Sequence, residues 1–242
     1  MRTALITGGA RGIGRAIALE LAGKGYDVAI CYRTSEAEAA GTVAEIEKRG
    51  ARGLCVRADV SNPEKARELF ATVTQEFSAP DVLVHCAGPY HRCDVLKETP
   101  EGWRAMLGSN LDSFFYCARL AAPAMIEKHW GRMLAFGMAN ADRAAGQPGV
   151  AAHYVAKVGV LALVRSLSRA LAQHAVTVNA ISPGFVASGS APEEELSKMI
   201  KNIPAGYVGS VDDAVYAAAY LLSDEARYVT GANLILSGGW GI

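Results

Sequence analysis

Long apolar runs are missing from this sequence. None of its 242 residues begins a stretch of transmembrane length, and the first apolar segment, Thr3 to Thr7, runs straight into a glycine cluster. Neither a membrane span nor a secretory leader is expected. Surplus charge is missing as well, because 24 Lys plus Arg balance 24 Asp plus Glu. A basic field for nucleic acid is therefore not expected. The five cysteines have no CxxC spacing, and Cys31, Cys55, Cys86 and Cys117 lie in apolar segments. Buried thiols in a cytoplasmic protein, without a metal cluster, are the expectation.

What the chain has in quantity is glycine, 25 residues, and apolar side chains, 51%. That suits one α/β domain with a large core and many tight turns. The segment Thr3 to Thr7 reads as a strand. Gly8, Gly9, Ala10, Arg11, Gly12, Ile13 and Gly14 follow, and then an Ala/Leu-rich helix from Arg15 to Ala22. A strand, a glycine turn and a helix N-terminus together make a pyrophosphate cradle, since the first helical N–H groups lack partners and carry the positive dipole end.

Further strands are expected at Asp27–Cys31, within Ala51–Ala58, and at Val82–Cys86, Arg132–Phe136, Val176–Ile181 and Ala232–Leu236. Helical segments separate them: Ser35–Arg49, Ser61–Phe77, Trp103–Lys128 with a break near Gly108, Ala152–Gln173 and Val211–Leu222. Pro63 suits a first helical turn, with Ser61 or Asn62 as its cap. The alternation predicts a single-domain Rossmann fold over residues 1–242, a doubly wound seven-stranded parallel sheet with helices on both faces. The small and polar stretch at residues 186–207 reads as a substrate lid with a short helix; Gly189, Ala191, Pro192 and Gly206 suit its mobility.

In such a sheet the ligand lies beyond the C-terminal strand ends. The second strand ends Cys31, Tyr32, Arg33, without the acid that would bind a ribose hydroxyl pair. Arg33, with Arg11 from the glycine turn, can pair with a 2′-phosphate, so NADP(H) is favoured over NAD(H). Asp59 is a candidate acceptor for the adenine amino group or a cap for the next helix.

TGGARGIG (Thr7–Gly14), ADV (Ala58–Val60), CAG (Cys86–Gly88), Asn110, GRM (Gly131–Met133), Lys157 with Gly159, VNAISPG (Val178–Gly184) and TGANLILSGG (Thr230–Gly239) together resemble the short-chain dehydrogenase/reductase family. The pattern is similar to that of the 3-oxoacyl-[acyl carrier protein] reductases. The resemblance implies hydride transfer between NADPH and a carbonyl or alcohol, with a small-molecule or acyl-thioester substrate. It implies cofactor contacts at Gly8, Arg11, Gly12, Ile13, Gly14, Arg33, Asp59, Val60, Ala87, Gly88, Lys157, Pro183, Gly184 and Ser188. Ser188 matches a threonine that holds the carboxamide, and Ile181 would touch the nicotinamide ring.

The family's catalytic group is Asn, Ser, Tyr and Lys, with the last two spaced Y-x-x-x-K. Here the segment reads His153, Tyr154, Val155, Ala156, Lys157. Lys157 is in register with the family through Gly159 and Asn179, so His153 holds the tyrosine position and Tyr154 falls one residue late. One residue on a helix turns a side chain by about 100°, which aims Tyr154 away from the carbonyl site. Met138 stands at the serine position and has no donor. Asn140 or Asp142 is a possible replacement, or both are ordinary turn residues. The catalytic candidates are thus Asn110, His153, Tyr154 and Lys157, with no metal. Two readings stay open: a reductase with altered proton donation, or a nucleotide-binding homologue with lost or reduced reductase activity that acts as a partner or sensor. The long apolar helices also point to a homodimer or homotetramer.

Overall fold

The computed structural model describes residues 1–143, 145–189 and 193–242; for Glu193 and Glu195 only the backbone is described. Seven parallel strands form the main sheet. They are β1 (Thr3–Thr7), β2 (Asp27–Tyr32), β3 (Gly53–Arg57), β4 (Val82–His85), β5 (Gly131–Phe136), β6 (Val176–Pro183) and β9 (Asn233–Leu236). Their order is β3-β2-β1-β4-β5-β6-β9. The reversal of order falls between β1 and β4, which pair in register from Ala4 with Val82 to Thr7 with His85. That reversal opens the crevice where a doubly wound sheet takes its ligand.

Alternation along the strands explains the two cores. Leu5, Ala29, Leu83, Met133 and Val178 face one layer, with Leu69, Phe114, Leu161 and Val164 from the helices. Their neighbours Ala4, Ile6, Val28, Ile30, Val82, Val84 and Leu134 face the other, with Ile17, Leu21, Ala218 and Leu221. Every residue of β1 and β5 is buried, as a parallel strand covered on both faces requires.

The helices on the first layer are α3 (Pro63–Glu76), α5 (Ser113–Glu127) and α6 (Ala151–Leu171); those on the second are α1 (Gly12–Gly23), α2 (Glu36–Lys48) and α8 (Val211–Leu221). Asn62, not Ser61, caps α3, its side chain accepting from the Glu64 and Lys65 N–H groups. Such a cap stabilises a helix by about 1 kcal/mol. The expected break near Gly108 is a π-turn, Gly108–Asp112, between α4 (Pro100–Leu107) and α5. Two elements escaped the sequence reading: the short parallel pair β7 (Val186–Ala187) and β8 (Gly209–Ser210). Between them lies α7 (Glu193–Met199); Ala191 and Pro192 lie outside the described residues.

Candidate active site

The glycine turn sets the floor. Gly8 and Gly12 have φ of +67° and +56°, in the left-handed region that side chains disfavour. A Cβ at Gly8 would lie 3.0 Å from the Ala87 nitrogen, and one at Gly12 would lie 3.1 Å from the Ser188 carbonyl oxygen. The turn therefore packs against the end of β4 and against the segment after β7 at once. Gly14 is buried, where a Cβ would strike the Gly8 carbonyl oxygen at 2.4 Å. Its role is close helix-to-strand packing. The first turn of α1 carries no acid, and Arg11 at its N-cap makes no side-chain cap bond. Arg11 is exposed, and Ile13 is half-buried.

Arg33 and Asp59 are brought together beyond β2 and β3, 3.7 Å apart and both substantially exposed. An exposed pair of this kind contributes little to stability, about 0–1 kcal/mol. Asp59 also accepts from the Ser61 N–H at 3.0 Å and hydroxyl at 2.7 Å. Burial alone pushes its carboxyl up, but the Ser61 bonds and Arg33 outweigh that and hold it below the usual carboxylate range. Val60 is a core residue with its side chain packed in the first layer. Its place in the site is limited to its backbone.

The catalytic candidates converge on backbone carbonyls after β4 and β5. The π-turn swings Asn110 inward, where its Nδ2 donates to Met106 O at 3.1 Å and Pro89 O at 3.2 Å. Its Oδ1 is buried without a protein partner. A Cβ at Gly88 would lie 2.4 Å from that oxygen and 3.4 Å from Lys157 Nζ. Glycine is required there because asparagine and lysine crowd against the backbone.

His153 is buried on α6 near the Pro89 backbone, and its Nδ1 has no partner. Burial, and then the charge of Lys157, lower its pKa from 6.5 to about 4. It is a neutral imidazole at physiological pH. Lys157 Nζ donates to Phe136 O at 2.8 Å, and burial lowers its pKa from 10.5 to about 8.

Tyr154 is buried but turned elsewhere. Its hydroxyl donates to Asn140 O at 3.1 Å and accepts from the Ala145 N–H at 2.9 Å. It braces the loop after β5 and is not free for chemistry, which corrects its place among the catalytic candidates. Met138 packs against the first core layer. Asp142 is exposed. Asn140 adopts φ of +68° and lies against Gly241, where a Cβ would come within 3.3 Å. Asp142 thus stands as a surface turn residue. Ile181, expected at the nicotinamide ring, has no exposed surface and belongs to the second core layer. Beyond β6, Pro183 O accepts from the Ala139 N–H at 3.0 Å, and the Gly184 N–H donates to Leu236 O at 2.9 Å. Ser188 sits beside the glycine turn.

Three features carry no clear sequence signal. The Pro89 carbonyl accepts from Asn110, and a backbone oxygen has no signature of its own. Tyr90 packs edge-on against His153, ring centroids 5.1 Å apart. His91, Cys93 and Glu98 bring ligand atoms within 4.8 Å of one another. Their spacing resembles no familiar metal motif. No helix among the described residues is long and apolar enough to cross a membrane.

Comparison with known proteins agrees with this geometry. A family profile described as enoyl-(acyl carrier protein) reductase matches residues 8–241. The 3-oxoacyl-[acyl-carrier-protein] reductase FabG of Staphylococcus aureus (strain Mu50) is 34% identical over 241 residues, covering 98% of this chain and 97% of the relative. Among solved structures, acetoin dehydrogenase YohF from Salmonella typhimurium superposes with a TM-score of 0.91 at 29% identity, covering 99% of this chain and 95% of the other. A blue fluorescent protein from a metagenomic library, in complex with NADPH, superposes with a TM-score of 0.92 at 29% identity, covering 100% of this chain and 98% of the other. The chain belongs to the short-chain dehydrogenase/reductase family of oxidoreductases, and within it is most akin in pattern to the 3-oxoacyl-[acyl-carrier-protein] reductases.

Proposed function

We propose that the chain is an NADP(H)-dependent reductase of a carbonyl group, with a 3-oxoacyl thioester as substrate class. The observation that carries this reading is the convergence of Asn110, His153 and Lys157 on the backbone of Gly88, Pro89 and Phe136, beside the glycine turn. The NADPH seen with one structural relative supports the cofactor.

The residues fit a dinucleotide. The acid-free start of α1 favours an anion. Arg11 and Arg33 supply the charges for a 2′-phosphate. When bound, the nicotinamide supplies the hydride. Asn110 keeps an unpartnered Oδ1 inside the site as an acceptor. His153 is neutral and serves by hydrogen bonding, not as an imidazolium acid. Lys157 is the one site cation whose pKa lies near neutrality, at about 8. With no phenol in register, its ammonium is the proton source for the carbonyl oxygen. The half-exposed Phe115 on α5 and Val155 on α6 support burial against further copies as a dimer or tetramer.

A second reading is favoured by two specific observations. The Tyr154 hydroxyl is committed to the loop, and Met138 replaces a donor. In that reading the chain binds the nucleotide and has little reductase activity. One experiment separates the two: NADPH binding by fluorescence, followed by NADPH consumption with acetoacetyl thioester across pH 6–10. Turnover that falls as Lys157 loses its proton near pH 8 supports the reductase. Binding without consumption overturns it in favour of the second reading, and absence of binding overturns both.

A further inference from the structure

We propose that His91, Cys93 and Glu98 form a binding site for one zinc ion, at the edge of the substrate entrance and separate from the residues of hydride transfer. All three lie on the segment between β4 and α4, and one ligand atom from each lies within 4.8 Å of the others. Imidazole, thiol and carboxylate together suit a borderline-soft tetrahedral ion such as zinc, and suit magnesium or calcium poorly.

The His91–Glu98 spacing agrees with that chemistry. Zinc bonds of about 2.0–2.3 Å at a tetrahedral angle put neighbouring ligand atoms about 3.3–3.6 Å apart. His91 Nε2 and Glu98 Oε2 are 3.3 Å apart. The Glu98 side chain is only 7% exposed, and its Oε1 is steadied by the Thr99 N–H at 3.2 Å.

The segment is held in place before any ion arrives. The Cys93 N–H donates to Gly149 O at 3.1 Å, the Val95 N–H to Pro148 O at 2.8 Å, and the Leu96 N–H to Asp94 Oδ1 at 2.9 Å. Binding displaces the Cys93 thiol proton to solvent and forms a thiolate–zinc bond; three side chains and a water complete the coordination. Because Cys93 bridges to Val150 at the start of α6, and Tyr90 packs on His153, the ion would clamp the entrance segment against the helix that carries His153 and Lys157. The inference does not depend on the reductase reading.

The test uses the full chain after chelator treatment, titrated with zinc and, separately, with cobalt(II). One zinc per chain is expected by calorimetry. Cobalt is expected to give tetrahedral d–d bands and a thiolate charge-transfer band that Cys93→Ser abolishes and Cys55→Ser retains. Glu98→Gln should weaken zinc binding roughly tenfold or more. Zinc should also slow alkylation of Cys93 in the unaltered chain, mapped by mass spectrometry, while alkylation of Cys55 stays unchanged. That measurement stands even where a variant fails to fold. Equal alkylation of Cys93 with and without zinc, or a charge-transfer band that persists in Cys93→Ser, would overturn the proposal. NADPH binding measured on the same samples reports on the nucleotide site independently.

Discussion

The Tyr154 hydroxyl donates to the Asn140 carbonyl across 3.1 Å, and in doing so it leaves the catalytic face of α6. The same oxygen accepts from the Ala145 N–H at 2.9 Å. One phenol thus satisfies two backbone groups of a loop that turns through a left-handed asparagine at φ +68°. Tyr154→Phe is expected to lower stability by about 1–2 kcal/mol, the cost of leaving such groups unpaired, and to change turnover less than twofold. Denaturant unfolding and steady-state rates on one preparation check it. A loss of turnover without loss of stability would place the hydroxyl in the chemistry after all.

His153 is the complementary case. It occupies the position where the family has its tyrosine, yet it is neutral, with a pKa lowered to about 4. His153→Tyr restores a hydroxyl one helical turn before Lys157. An increase in NADPH-dependent reduction of acetoacetyl thioester by tenfold or more is expected, since a positioned acid typically contributes 10²–10⁴-fold. A fall in rate would show that the imidazole itself is needed.

Arg33 bears on cofactor choice. Its present partner, Asp59, is 3.7 Å away and exposed, so a 2′-phosphate can replace it at small cost. Arg33→Ala should weaken NADPH binding roughly tenfold, about 1.4 kcal/mol, and leave NADH nearly unchanged. Fluorescence titration with both nucleotides measures the ratio. Equal losses for the two would remove Arg33 from phosphate recognition.

Acid stability follows from a second buried histidine. His85 Nδ1 is 3.0 Å from Thr7 Oγ1, and its Nε2 is 3.0 Å from Ser113 Oγ. Thr7 Oγ1 accepts from the Ala87 N–H, and Ser113 Oγ donates to Ser109 O. A consistent chain of donors then has Thr7 donating to Nδ1 and Nε2–H donating to Ser113, which is the neutral ring. Burial, and then Lys157, lower the His85 pKa from 6.5 to about 3. Below pH 6.5 the unfolded chain binds a proton that the folded chain refuses, so stability falls as pH drops from 6.5 toward 3. His153 adds a loss of the same sign between 6.5 and about 4. Lys157 has the same sign in a higher window, between 10.5 and about 8, and adds no slope under acid. The melting temperature should decline steadily below pH 6.5, and less steeply in His85→Gln. An unchanged slope in that variant would assign the acid sensitivity elsewhere.

Much of the framework was legible in the residues themselves. The seven strands announce their burial by nearly unbroken apolar runs, and the glycines of Thr7–Gly14 mark backbone that no side chain can occupy. The break at Gly108 was legible, but its form as a π-turn was not, because its placement depends on packing against α6. Register along α6 was enough to separate His153 from Tyr154, since helical geometry converts a one-residue shift into a change of face.

Other features exist only after the chain has closed on itself. A backbone carbonyl such as Pro89 O has the same chemistry in every residue, so its role as an acceptor for Asn110 depends on the tertiary fold. The partner of the Tyr154 hydroxyl is set by a loop whose path no propensity specifies. The neutrality of His85 and His153 comes from desolvation, which is a property of the assembled interior and not of imidazole. The meeting of His91, Cys93 and Glu98 follows from the path of one entrance loop. By itself the sequence determined the sheet, the glycine cradle and the missing phenol, because local geometry and side-chain type suffice for those. Only the tertiary structure decided which polar atoms are paired, which are left unpartnered and which groups carry charge, because pairing and burial depend on residues distant along the chain.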